Sequence, residues 1–183
     1  VIFSKLFKSK PAFSEEVQKL YIDIVKQSRE PTFYSSFEVA DTVEGRFDMI
    51  VLHLFVVIRR LKTALPQTEE FQQALYDLML ADMDLNLREL GVGDMGLARR
   101  VPKMAEAFYG RAAAYEEGLS ETDDTILKAA LDRNLYRKTP VSDESLEVMA
   151  QYLRQEAANL EKTAIEDLLK GDVRFGPAPE QEA

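Results

Sequence analysis

The sequence predicts an all-α fold, a single-domain bundle of about six helices packed around one central apolar helix. Three observations carry that reading. Apolar residues recur at i, i+3 and i+4 in each long segment between turn signals. No stretch alternates apolar and polar residues between turns, as a half-buried strand does. Within Asp41–Lys62, the run Met49–Ile58 contains a single polar residue, His53. A helix apolar on most of its circumference belongs at the centre of a bundle.

Taken in order, Val1–Pro11 mixes apolar residues with Lys5, Lys8 and Lys10 and holds no acid. As a helix it would put Ile2, Phe3, Leu6 and Phe7 on one face, suited to an anionic membrane surface. The plainer reading is a terminus whose phenylalanines dock on the body. Ser14 caps a helix from Glu15 to Arg29, with Val17, Leu20, Tyr21, Ile24 and Val25 as its buried stripe, and Pro31 stops it. Thr32–Ala40 reads as an aromatic-rich loop. Asp41, with Glu44 three residues on, is the expected cap of the central helix. Arg59, Arg60 and Lys62 suit that helix's negative end.

Thr68 should cap a third helix, with Glu69 and Glu70 in its first turn and Gly91 at its end. Asp94 should cap a fourth, running to about Gly118 with the stripe Leu97, Val101, Met104, Phe108, Ala112 and Tyr115. Pro102 either kinks that helix or marks its true first turn. A fifth covers Asp123–Tyr136. Ser142 caps the last, which runs to Lys170 before Gly171. The organisation expected is a basic amphipathic segment at residues 1–13, a helical domain at 14–171 and a mobile acidic tail at 172–183.

Composition narrows the chemistry. The chain has 183 residues, no cysteine, one histidine and a net charge of −9. Disulfides, thiolate metal sites and cysteine nucleophiles are excluded, as is any site needing two protein imidazoles. The acidic balance argues against DNA as a partner. The longest apolar run is about half of the ~20 residues that span a bilayer. With no secretory signal read at the start, a bacterial cytoplasm is the expected location, with the inner face of the membrane as a further option; a mature organellar protein whose presequence has been removed would read the same.

Two motifs match only in letters. Gly91-Val92-Gly93-Asp94-Met95-Gly96 fits G-x-G-x-x-G but follows a helix, where a dinucleotide fold needs a strand. Asp82-x-Asp84-x-Asn86 starts like a calcium loop but has Leu87 where glycine is required and Gly93 where glutamate is required. No nucleophile, base and orienter assemble, so no catalytic residue, metal or cofactor is expected. His53 is either a buried histidine bonded to its neighbours or, in a competing reading, the centre of a helical small-ligand or haem-binding module.

Three motifs together carry a resemblance: DTVEGRFDMIVLH from Asp41, LRELGVGD from Leu87 and AFYGRAAAY from Ala107. In this combination the chain resembles the ubiquinol–cytochrome c chaperone family over about Pro31–Leu119, as a bacterial member. The resemblance implies a helical, non-catalytic assembly chaperone. It would bind newly made cytochrome b and promote assembly of the cytochrome bc1 complex. Peripheral membrane contact fits such a client, and ribosome contact is left open. A chaperone for a membrane protein needs an exposed apolar groove with a polar rim. Val51 and Phe55, joined by Phe33, Tyr34 and Tyr109, are its expected lining. Asp41, Arg46, Asp48, His53, Arg88 and Arg111 fill the motif's polar positions, either meeting the client or serving as caps and ion pairs between helices.

Overall fold

Ser14 sets the first boundary: its hydroxyl accepts from the Val17 N–H at 3.4 Å and opens α1, Glu15–Ser28. The computed structural model describes residues 14–137 and 139–180. The basic segment with Lys5, Lys8 and Lys10 lies outside these residues. After Pro31 comes a short helix, α2, Thr32–Ser35, where a loop was expected. It forms because Pro31, already in helical geometry, starts a turn that tucks Phe33 into the core.

The central helix is α3, Val43–Lys62. Its cap is Thr42 rather than Asp41: the Thr42 hydroxyl accepts from the Gly45 N–H at 3.1 Å. Every residue from Phe47 through Ile58 is buried, because α3 is packed by α1 and by all the later elements except α6. Those are α4, Glu69–Glu89; α5, Asp94–Ser120; a π-turn, Asp132–Tyr136; α7, Asp143–Glu161; and α8, Ile165–Leu169. The remaining helix, α6, Thr125–Leu131, packs on α5 and α7. Among the described residues there is no strand.

Thr68 stands at the start of α4, but its hydroxyl donates to the Leu61 carbonyl at 2.8 Å instead of capping. Gly93 occupies the cap position of α5, Asp94 is its first residue, and the helix runs on through Pro102. The expected fifth helix is divided into α6 and the π-turn. Ser142 caps α7 as expected, accepting from the Ser145 N–H at 3.1 Å. The expected last helix breaks at residues 162–164, where Arg60 takes the Thr163 carbonyl with Nε at 3.0 Å and Nη2 at 2.8 Å.

The tail also departs from expectation, since its described part lies on the body. Val173 is buried and Phe175 packs against the core. Gly176 donates its N–H to Glu156 at 2.9 Å, and Gln27 donates to the Gly176 carbonyl at 3.0 Å. Lys19 holds Asp172. Composition marked this segment as mobile, but two apolar side chains and one backbone clamp anchor it.

Candidate functional site

His53 sits fully buried on α3, and both ring nitrogens are engaged. Nδ1 lies 2.8 Å from the Met49 carbonyl and 3.0 Å from the Ser28 hydroxyl. A carbonyl can only accept, so Nδ1 carries the proton. Nε2 then accepts from the Tyr152 hydroxyl at 2.8 Å, and that hydroxyl accepts from Gln27 at 2.9 Å. Phe175 and Phe33 meet the ring edge-on at 5.4 and 5.7 Å. No ring nitrogen is left for an iron. The network ties α1, α3, α7 and the tail together.

Burial lowers the His53 pKa to about 4, against the pull of the Met49 carbonyl. Unfolded, the imidazole protonates below its ordinary value near 6.5; folded, it stays neutral down to about 4. The unfolded state therefore binds the extra proton, and stability is lost as pH falls through that window. Between pH 7 and 5 the loss from this group is roughly 2 kcal/mol. As the chain's one histidine, its ring signals in an NMR titration are unambiguous. A native pKa near 6.5 would contradict the burial.

Asp48, one face round α3, is also fully buried. Arg137 reaches it from beyond the π-turn with Nε at 2.6 Å and Nη2 at 2.8 Å. Arg111 of α5 reaches it with Nη2 at 3.0 Å and lies over the Phe47 ring. Burial raises the Asp48 pKa above the ordinary carboxylate value despite the two guanidiniums. Arg137 also has a positive φ of 59°, a conformation sparsely populated outside glycine.

The opening of α3 to solvent lies at its C-terminal end. Phe55 and Ile58 floor a groove of about 750 Å³ between α3, α4 and α5. Tyr76, Phe108, Tyr109, Ala112 and Leu65 line it. Tyr76, Phe108 and Tyr109 stack on one another at 5.2–5.6 Å between ring centres. Tyr109 is 60% exposed and Leu65 51%, so apolar surface faces outward here. Arg59 forms a latch beside it, holding Glu116 at 3.0 Å and Glu161 at 2.9 Å. Burial, with Tyr109 adding to it, pushes the Tyr76 hydroxyl up to about 12.

The predicted residues therefore divide. Phe55 and Tyr109 come together in the groove. Val51 and Phe33 do not, since both are fully buried; Val51 shares Phe55's row on α3 but sits one turn deeper. Tyr34 is half-buried and donates to the Ser28 carbonyl at 2.6 Å. Asp41 pairs with Arg46 at 2.6 Å on the surface. Arg88 clamps the α4–α5 turn through Asp84 and Asp94, each at 2.7 Å. Asp48, His53 and Arg111 make the internal contacts described above, and all three are buried. Sequence reasoning missed Leu65 and Tyr76. An apolar residue beside Pro66, outside any helical stripe, was the available signal for Leu65. Among the described residues no group of acids and His53 is placed to hold a metal ion.

Comparison with known proteins adds to this geometry. A family model described as ubiquinol-cytochrome C chaperone matches residues 35–175. The ubiquinol-cytochrome-c reductase complex assembly factor 1 of Xenopus laevis is 28% identical over 90% of this chain and 82% of its own length. The Mus musculus protein of the same name is 26% identical over 89% of this chain. The chain spans only 55% of that mouse protein's length. The crystal structure of the Cbp3 homolog from Brucella abortus is 33% identical and superposes with a TM-score of 0.81, covering 97% of both chains.

Proposed function

We propose that this chain, which belongs to the ubiquinol–cytochrome c chaperone family, is a non-catalytic chaperone holding newly made cytochrome b during assembly of ubiquinol–cytochrome c reductase. The family is one of assembly factors for that complex. The observation that carries the client reading is the groove over Phe55: an aromatic trough, open at Tyr109 and Leu65, with a charged rim. Such a trough takes the apolar face of a helix, as other helix-in-groove interfaces do. Its large exposed aromatic is the kind of residue that dominates binding energy. The small-ligand reading has less support, because it centres on His53, whose ring nitrogens are both engaged.

A photo-crosslinker at position 109, present while cytochrome b is made in a cell-free system, tests the site. Cytochrome b should be labelled from 109 and not from position 22, an exposed residue of α1. Tyr109→Asp should lower cytochrome b capture by about tenfold or more, the effect expected of a central aromatic anchor. Equal labelling from both positions, or capture unchanged in the variant, would remove the groove as the client site.

A further inference from the structure

The N-terminal half of α5 carries two opposite rows. Leu97, Val101, Met104 and Phe108 face the bundle, with Leu97 and Phe108 buried. Met95, Arg99 and Lys103 follow one another on the outer row at spacings of four, with Arg100 beside them. Met95 is 86% exposed, and all three basic residues are exposed. None of the three has an ion-pair partner among the described residues. From Met95 to Ala105 there is no acid. The flanking acids of the helix are Asp94, held by Arg88, and Glu106.

We propose that this face of α5 docks on an anionic phospholipid surface. Charge complementarity is the first argument: three cations with no ion-pair partner among the described residues cluster on a chain whose net charge is −9. A folded acidic protein gains little from leaving them together unless an anionic partner meets them. The exposed apolar side chain on the same row decides which partner. Phosphates of a nucleic acid would satisfy the cations but offer nothing to Met95. A lipid interface takes both, with cations at the headgroups and the apolar tip below them. Arg99 and Tyr109 lie on the same helix, ten residues and about 15 Å apart along its axis. Docking here would hold the groove mouth close to the headgroups, where a membrane-protein client emerges. That use rests on the client reading; the lipid contact itself does not.

Flotation of the full chain with vesicles tests it. The chain should float with phosphatidylcholine vesicles containing phosphatidylglycerol, should not float with phosphatidylcholine alone, and should be released by salt. The combined variant Arg99→Glu, Arg100→Glu, Lys103→Glu should weaken binding by roughly a hundredfold or more, with its helical circular dichroism intact. Met95→Asp should weaken it less. The variant Lys5→Glu, Lys8→Glu, Lys10→Glu should retain binding. No flotation overturns the proposal. So does binding that survives the α5 reversal, or binding lost only with the first lysines. Binding of the α5 face to RNA but not to vesicles also overturns it. None of these outcomes bears on crosslinking from position 109, so the two readings fail separately.

Discussion

Asp48→Ala is expected to cost roughly 3–5 kcal/mol of folding stability, the usual penalty for stranding one partner of a buried ion pair. Arg111 is only 8% exposed, and its Nε and Nη1 already lack hydrogen-bond partners. Without the carboxylate its charge has no counterion in a site water barely reaches. Arg137, 41% exposed at its side chain, can turn outward instead, so Arg137→Ala should cost much less. Burial also outweighs both guanidiniums in setting the Asp48 pKa. The ionised cluster is therefore not a net stabiliser at neutral pH, and replacing all three side chains with apolar ones should be far milder than removing Asp48 alone. Urea unfolding of the variants separates these cases. A loss under about 1 kcal/mol for Asp48→Ala would mean that the charges are solvated after all.

This cluster shows where the sequence was legible and where it was not. Helical spacing identified α3 as the centre, and its apolar run Met49–Ile58 is buried throughout. The motif's polar positions were visible as polar, and internal pairing was one of their two readings. What periodicity lacks is depth. Val51, Phe55 and Arg59 form one row at spacings of four, yet Val51 is sealed, Phe55 floors a groove and Arg59 latches its wall. Only packing by α4 and α5 makes that gradient, and no single-helix pattern records it. The contacts of the tail are a related case. Phe175 and Val173 have no repeat around them, so no periodic pattern records that Phe175 packs on the His53 ring or that Val173 is buried. The break before α8 depends on Arg60, a residue 103 positions away in sequence.

The same substitution made twice in α5 should have opposite signs. Gly110→Ala should raise stability by about 0.5–1 kcal/mol, the ordinary gain from replacing a helical glycine, since a Cβ there meets nothing within 4 Å. Gly118→Ala should lower it by about 1–3 kcal/mol or more, as overpacking does. Its Cβ would lie 2.6 Å from the Leu127 Cα and 2.9 Å from the Leu127 nitrogen. Those are backbone atoms of α6, so no side-chain rotation relieves the clash, and one helix must move. Movement would also disturb Arg154, which donates to the Gly118 carbonyl at 3.1 Å and to Asp124 at 2.5 Å. That guanidinium ties α7 across the α5–α6 turn. Thermal and denaturant unfolding of the pair measure the difference, and shifts of the same sign would mean that α5 and α6 are not in backbone contact. Gly110 does not line the groove, so Gly110→Ala should also keep cytochrome b labelling from position 109. Because α6 props α5 against the rest of the bundle, Gly118→Ala should reduce that labelling even in the fraction that stays folded.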